Sequence, residues 1–496
     1  MKSLPSACFG TLTLILAVVL PVNLRAQENE DSSPKHHHYK VVDLGSFGGG
    51  NSYAQGVFLP FFPGTTTLNH SGAVAAWGDT PTNDPFSPAC YVDCLVGYAL
   101  QWVHGTANNL GVLPQNPIIG SQQPCFDCIW SSFPLAISRS GLVAGQSENN
   151  DVDSLTHGPL SLAVLWKNGK ISNLGTLGGN QSGATGVNDW GDVVGGALTT
   201  ASETLPLRAP YFDVFLFGNG TTSHAFWWHD GKMHDLQTLG GPDSMAFFVN
   251  DFGQIAGASD VDFNSNVNQV ENPGGPTIHP FLWECGKMRD LIADAPANLF
   301  GGTYGIVSSL NDAGQVTGLM NLADDATWHS FLWEHGHVKD LGSLGGTFTT
   351  AHWLNNSGQI VGRSSVKDLC KDCPTGDQLE LSHPFLWKNG VMTDLGLPKG
   401  AQCATAKHIN EDGEIVGQSF LGVTSISLDL CNSASTGAFV WKNGSIADLQ
   451  SLLIPGSTVT LDDSFNINDR GEILATGFLP NGDHRVVLLV PCDPDE

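Results

Sequence analysis

Basic residues are scarce in this chain: 21 Lys and Arg stand against 48 Asp and Glu, a formal net charge of −27. A surface this acidic repels phosphate backbones and anionic lipid, which argues against nucleic acid and against membrane adhesion through a basic patch. Charged residues of both signs make up only 14% of the chain, and long helix-forming Ala/Glu/Lys/Leu runs are absent. Both facts speak against a helical fold. Beyond the first 26 residues, no segment is long and apolar enough to cross a membrane. Catalytic signatures are missing too, with no Gly-x-Ser-x-Gly, no His-Glu-x-x-His and no phosphate-cradling glycine loop. What the chain does have is glycine, 59 residues of it, between short apolar runs. That pattern predicts many short strands joined by turns, an all-β protein.

One phrase recurs eight times: Asn-x-x-Gly-x-(Ile/Val)-x-Gly. Its copies start at Asn69, Ser138, Asn188, Asn250, Asn311, Asn355, Asn410 and Asn468, with Ser138 replacing the Asn and Ala76 and Ala475 the closing Gly. Repetition along nearly the whole chain indicates one large repetitive body and not a string of domains. In the copy that opens at His383, strand A is His383 to Trp387, strand B is Val391 to Gly396, strand C is Ala404 to Asn410 and strand D is Glu414 to Ser419. Asn-Gly or a similar pair joins A to B, a strong hairpin signal, and a turn ending in Gly joins C to D. Repeated four-stranded meanders predict a β-propeller.

Strand A closes on Trp in seven copies: Trp102, Trp166, Trp228, Trp283, Trp333, Trp387 and Trp441. The first repeat, Tyr39 to Gly78, opens at strand B and has no strand A. The tail supplies one, His484 to Val490, with nothing after it. Eight blades closed by the C-terminal strand account for both ends; a seven-bladed ring with one divergent repeat is the alternative. The propeller then covers residues 39–491. Residues 1–26 read as an export signal, with Lys2 before an apolar segment and Leu-Arg-Ala at its end. Residues 27–38 are expected to be a disordered tail, and 492–496 a C-terminal one.

His stands four positions before the strand-A Trp, or its equivalent Leu488, at His224, His279, His329, His383 and His484. A ring of such residues at the mouth of a channel would suit a metal. Each copy, however, also carries a strand-B Asp or Asn (Asp43, Asn109, Asn173, Asp235, Asp290, Asp340, Asp394, Asp448). A His-to-carboxylate bond stitching every blade needs that same repetition, and this is the favoured reading. The Trp residues likewise read as wedges between blades.

Short A–B and C–D hairpins share one rim, and long, variable B–C and D–A loops share the other, where binding usually resides. Several of these loops carry aromatics: Phe126, Trp130 and Phe133 in one, and Tyr211, Phe212, Phe215 and Phe217 in another. The cysteines cluster there in two groups, Cys90, Cys94, Cys125 and Cys128, and Cys370, Cys373, Cys403 and Cys431. In an exported protein these predict disulfides within each group, leaving Cys285 and Cys492 unpaired. No cofactor is required by the pattern. Calcium is the one the sequence suggests: Asp260, Asp262, Asn264, Asn266, Asn268 and Glu271 have calcium-loop spacing, with Ser265 where such loops prefer Gly.

The run His-Ala-Phe at His224 to Phe226, with the Trp-Trp-His-Asp-Gly, Asp-Leu-Gln-Thr-Leu-Gly-Gly and Val-Asn-Asp-Phe-Gly-Gln-Ile-Ala-Gly phrases around it, resembles the extracellular HAF-repeat family. The likeness spans about Tyr39 to Pro491. It implies a secreted bacterial repeat protein of unknown biochemical activity, with no catalytic residues to carry over. The sequence expectation is therefore a monomeric, secreted or surface-associated scaffold that binds a carbohydrate or protein through its variable loops. A carbohydrate-active enzyme on a propeller is the alternative.

Overall fold

The computed structural model describes residues 36–54, 66–85, 94–152, 158–202, 221–261, 277–295, 304–322, 327–369, 380–427 and 430–492. The expected signal and most of the 27–38 tail lie outside them. The described strands form eight antiparallel sheets, seven of four strands and one of five. Two short 3-10 turns, Ile292–Asp294 and Leu449–Leu452, are the only helix among the described residues. This is an eight-bladed β-propeller.

Hydrogen bonding cuts the repeat at a different point from its sequence boundaries. Each sheet runs C-D-A-B from the channel outwards; blade 4, for example, is Ser244–Val249, Ile255–Asp260, Ile278–Glu284 and Lys287–Asp290. The B–C link therefore passes between blades and the D–A link lies within one. We number the blades from Ser52 onwards, so that blade 1 spans 52–109 and blade 8 holds Thr460–Ile467, Ile473–Phe478, His484–Cys492 and, outermost, His38–Asp43. The first strand thus completes the last blade. Val41 pairs with Leu489 and Val42 with Leu488, while Leu489 pairs with Ile473 on its other side. The strands reach His38 and Cys492, one residue beyond each expected boundary.

The motif's residues each have a structural reason. Its first Gly takes positive φ in the C–D turn, as at Gly253 (φ 77°). Its closing Gly leaves room for the strand-A Phe: a Cβ on Gly257 would lie 2.6 Å from the Phe281 ring and 2.2 Å from the Met245 carbonyl. Gly195, Gly257, Gly318, Gly362 and Gly417 pair with Phe226, Phe281, Phe331, Phe385 and Phe439. All five rings are fully buried. Where the closing residue is Ala, the partner shrinks: Ala76 faces Leu100 and Ala475 faces Val487.

The strand-A Trp residues wedge neighbouring blades, as expected. Arg289 of blade 4 lies 5.4 Å over the Trp333 ring of blade 5, and Lys339 of blade 5 lies 4.9 Å over Trp387 of blade 6. Trp333 also donates its indole N–H to Asp294, at 2.9 Å.

Candidate functional site

The C–D turns of all eight blades converge on one end of the central channel, where their residues line a cavity of about 580 Å³. The motif Asn organises this end. In Asn250, Oδ1 accepts from the backbone N–H groups of Phe252 and Gln254, and Nδ2 donates to the carbonyl of Asn311 in the next blade. The same interblade bond, 3.0–3.1 Å long, runs from Asn188 to Asn250, Asn311 to Asn355, Asn355 to Asn410, Asn410 to Asn468, Asn468 to Asn69 and Asn69 to Ser138. One link differs. Ser138 has no amide to donate, and its hydroxyl accepts from Leu142 N–H instead.

The residue after each Asn forms a collar around the mouth: His70, Arg139, Asp189, Asp251, Asp312, Asn356, Glu411 and Asp469. Backbone N–H groups donate to the next blade's collar side chain, from Ser140 to Asp189, Asp189 to Asp251, Asn356 to Glu411 and Glu411 to Asp469. Arg139 does more. Its guanidinium passes over blade 3 to reach Asp312 at 2.7 Å and Asp251 at 3.6 Å. Burial holds the Asp251 carboxyl above its usual range, and the Asp189 and Asp312 charges push the same way against Arg139.

Below the collar, Trp353 and His408 stack with ring centres 4.2 Å apart. His408 is 8% exposed, and neither ring nitrogen has a hydrogen-bond partner. Burial pushes its pKa down to about 3, so the ring is neutral. Further polar groups follow on the same inner strands, with Lys407 2.5 Å from Asp463 and Thr405 3.4 Å from His352. Sequence reasoning missed this end of the channel, because the position after the Asn has no fixed residue type. Its one signal is that five of the eight are acidic.

The recurrent His residues are structural in four blades. Nδ1 of His224, His279, His329 and His383 lies 2.8–3.0 Å from Asp235, Asp290, Asp340 and Asp394. These pairs join the two outer strands of a blade, away from the channel. Each Asp also accepts a backbone N–H two residues on, as Asp235 does from Gln237. His484 departs from the expectation. Because Leu489 and not Leu488 faces Ile473, as Trp283 faces Ile255, Arg485 occupies the His place. A one-residue slip turns a strand side chain to the other face, and His484 accordingly meets Asp462, at 3.1 Å, and not Asp43.

Cys125–Cys128 and Cys403–Cys431 form disulfides, each within its expected group. Cys94 is also disulfide-bonded; Cys90, Cys370 and Cys373 lie outside the described residues. Cys492 is free. Cys285, expected to be unpaired, is disulfide-bonded; its place on the hairpin rim, far from both clusters in sequence, hid that bond. Of the calcium-loop residues only Asp260 is described, buried at the end of a strand. Asp262, Asn264, Asn266, Asn268 and Glu271 lie outside, as do Tyr211, Phe212, Phe215 and Phe217. No group of three or more His, Cys, Asp or Glu side chains arranged to hold a metal occurs among the described residues.

The aromatics expected in the 111–133 loop divide. Trp130 and Phe133 are core residues, with Trp130 donating to the Leu113 carbonyl and Phe133 packed edge-on against Trp77. Phe126 is exposed, together with Ile118, Ile119 and Ile129, at 51–72%. Cys125–Cys128 tightens the loop locally, and the loop is pinned by reciprocal backbone bonds between Val112 and Cys125 and by its own strand, Gly120–Gln122, which pairs with Lys170–Asn173 as the fifth strand of blade 2. Glu148, in the same blade, is wholly buried and accepts from Ser131 N–H at 2.7 Å. Burial raises its pKa to about 8, aided by Asp84.

No protein-family model and no curated protein matches the chain. Among solved structures it is similar to the β-propeller domain of the Trilobed protease from Pyrococcus furiosus, which has an open velcro topology. Identity there is 8%, over 72% of this chain and 93% of that one, with a TM-score of 0.39. It is also similar to Porphyromonas gingivalis dipeptidyl peptidase 4 (10% identity, 84% and 64% coverage, TM-score 0.35). A third is Pseudomonas fluorescens PhoX in complex with vanadate (9%, 92% and 95%, TM-score 0.30). None of these likenesses bears on activity. Among the described residues, no helix is long and apolar enough to cross a membrane.

Proposed function

We propose that this propeller is a secreted, monomeric binding scaffold of the HAF-repeat type, which takes a carbohydrate or protein ligand through its variable loops. One observation carries the reading. The recurrent His and Asn side chains are largely committed to holding the ring together, whereas Ile118, Ile119, Phe126 and Ile129 stand exposed on an insertion whose added strand has no counterpart among the described residues. Backbone bonds to Val112 and an added strand hold that insertion in place, which limits the ordering cost of binding. Exposed apolar side chains on a pinned loop are a surface for a partner.

The test is an array of glycans and matrix proteins probed with the purified chain and with an Ile119→Ser/Phe126→Ser variant. The reading expects a ligand that the native chain retains and the variant loses. Retention unaffected by the two substitutions, or no retained ligand at all, contradicts it.

A further inference from the structure

On the opposite rim, we propose that the channel mouth is a binding site for an organic cation, a guanidinium or primary ammonium group carried by a ligand, and that Arg139 occupies it until the ligand arrives. Asp189, Asp251, Asp312, Glu411 and Asp469 bring five carboxylates to one opening, against which stand one Arg and His70. Arg139 shows what the collar accommodates: its guanidinium sits between Asp251 and Asp312, two and three blades away from its own. One guanidinium and His70 against five carboxylates leave the collar under-neutralised.

The second observation is independent of the acids. His408 lines the same cavity, nine-tenths buried, with both nitrogens unbonded, and buried polar atoms in folded proteins are almost always bonded. A neutral imidazole presents one N–H and one lone pair, and the lone pair is satisfied only by an N–H or O–H donor. Trp353 stacks on His408 and itself lines the cavity, and an aromatic ring in a cavity wall attracts a cation. Carboxylates at the mouth, a hydrogen-bond acceptor and an aromatic face below describe a receptor for a donor-rich organic cation. A metal ion is the poorer fit, because no group of three metal-ligating side chains converges among the described residues.

The probe is agmatine, with butylurea as its uncharged counterpart, followed by calorimetry and by the His408 imidazole resonance, assigned with His408→Gln. In the native chain agmatine is expected to shift that resonance and butylurea to leave it in place. An occupied mouth lowers apparent affinity by the fraction of time it stands open, so Arg139→Ala is expected to bind agmatine about tenfold more tightly. Asp251→Asn with Asp312→Asn, added to Arg139→Ala, is expected to abolish binding while the chain still melts cooperatively. Three results overturn the proposal: an unmoved His408 resonance at saturating agmatine, equal affinity with and without Arg139, or equal response to butylurea. None of them bears on the loop face.

Discussion

The side-chain amide of Asn468 donates to the backbone carbonyl of Asn69 at 3.1 Å, joining residues 399 positions apart. It is one of seven bonds by which a blade's Asn holds the next blade's turn, and it joins the last blade to the first.

The series has one gap, and filling it is a test. Ser138→Asn supplies the missing donor to the Asn188 carbonyl and is expected to add about 1 kcal/mol of stability. Asn311→Ala removes a buried donor and two accepted N–H bonds and is expected to cost about 1–3 kcal/mol. Denaturant midpoints measure both. A neutral Asn311→Ala would mean that the interblade bonds contribute nothing.

Cross-strand size matching makes a second prediction. Gly257→Ala crowds Phe281 and is expected to destabilise by about 1–3 kcal/mol. Combined with Phe281→Leu, the pairing found at Ala76 and Leu100, the loss should be smaller than the sum of the two single losses. Additive losses would show that the glycine is retained for another reason, such as its contact with the Met245 carbonyl.

Glu148 predicts an unusual pH dependence. Its unfolded carboxyl titrates near 4.5 and its folded one near 8. Below the first value both states hold the proton and the stability is fully present; between the two only the folded chain keeps it, so stability falls as pH rises. Glu148→Gln mimics the neutral form. It should melt like the native chain at pH 4 and be more stable at pH 9 by several kcal/mol, since each tenfold difference in proton affinity between the folded and unfolded chain is worth about 1.4 kcal/mol. Asp235, Asp394 and Asp462 act in the opposite direction: burial raises them, but bonds to His224, His383 and His484, together with those from Gln237, Gly396 and Thr476, outweigh it and hold them low. Their contribution is present above the ordinary carboxylate range and is lost in acid. Equal melting of Glu148→Gln and the native chain at pH 9 would refute the Glu148 assignment.

The blade count and the His–Asp pairs were legible in the sequence because both follow from residues that repeat. Which strands share a sheet was not. A cyclic repeat has no intrinsic starting point, and only the pairing of Leu489 with both Ile473 and Val41 shows where the sheets divide. The place of His484 was misjudged for a related reason: without a Trp to mark the register, a one-residue shift leaves no trace in an apolar run. The channel mouth was invisible because Arg139 acts by differing from its seven counterparts, and difference has no period. The disulfide at Cys285 has no sequence neighbour to announce it.

Closure by the last strand is the central claim, and truncation tests it directly. A chain ending at Asp483 loses the strand that lies between Ile473–Phe478 and His38–Asp43, leaving an unpaired edge and the apolar residues around Val486 and Leu488 without partners. Thermal melting with light scattering is the measurement. The closed ring predicts a lower midpoint and self-association. An unchanged midpoint in a chain that stays monomeric would contradict it.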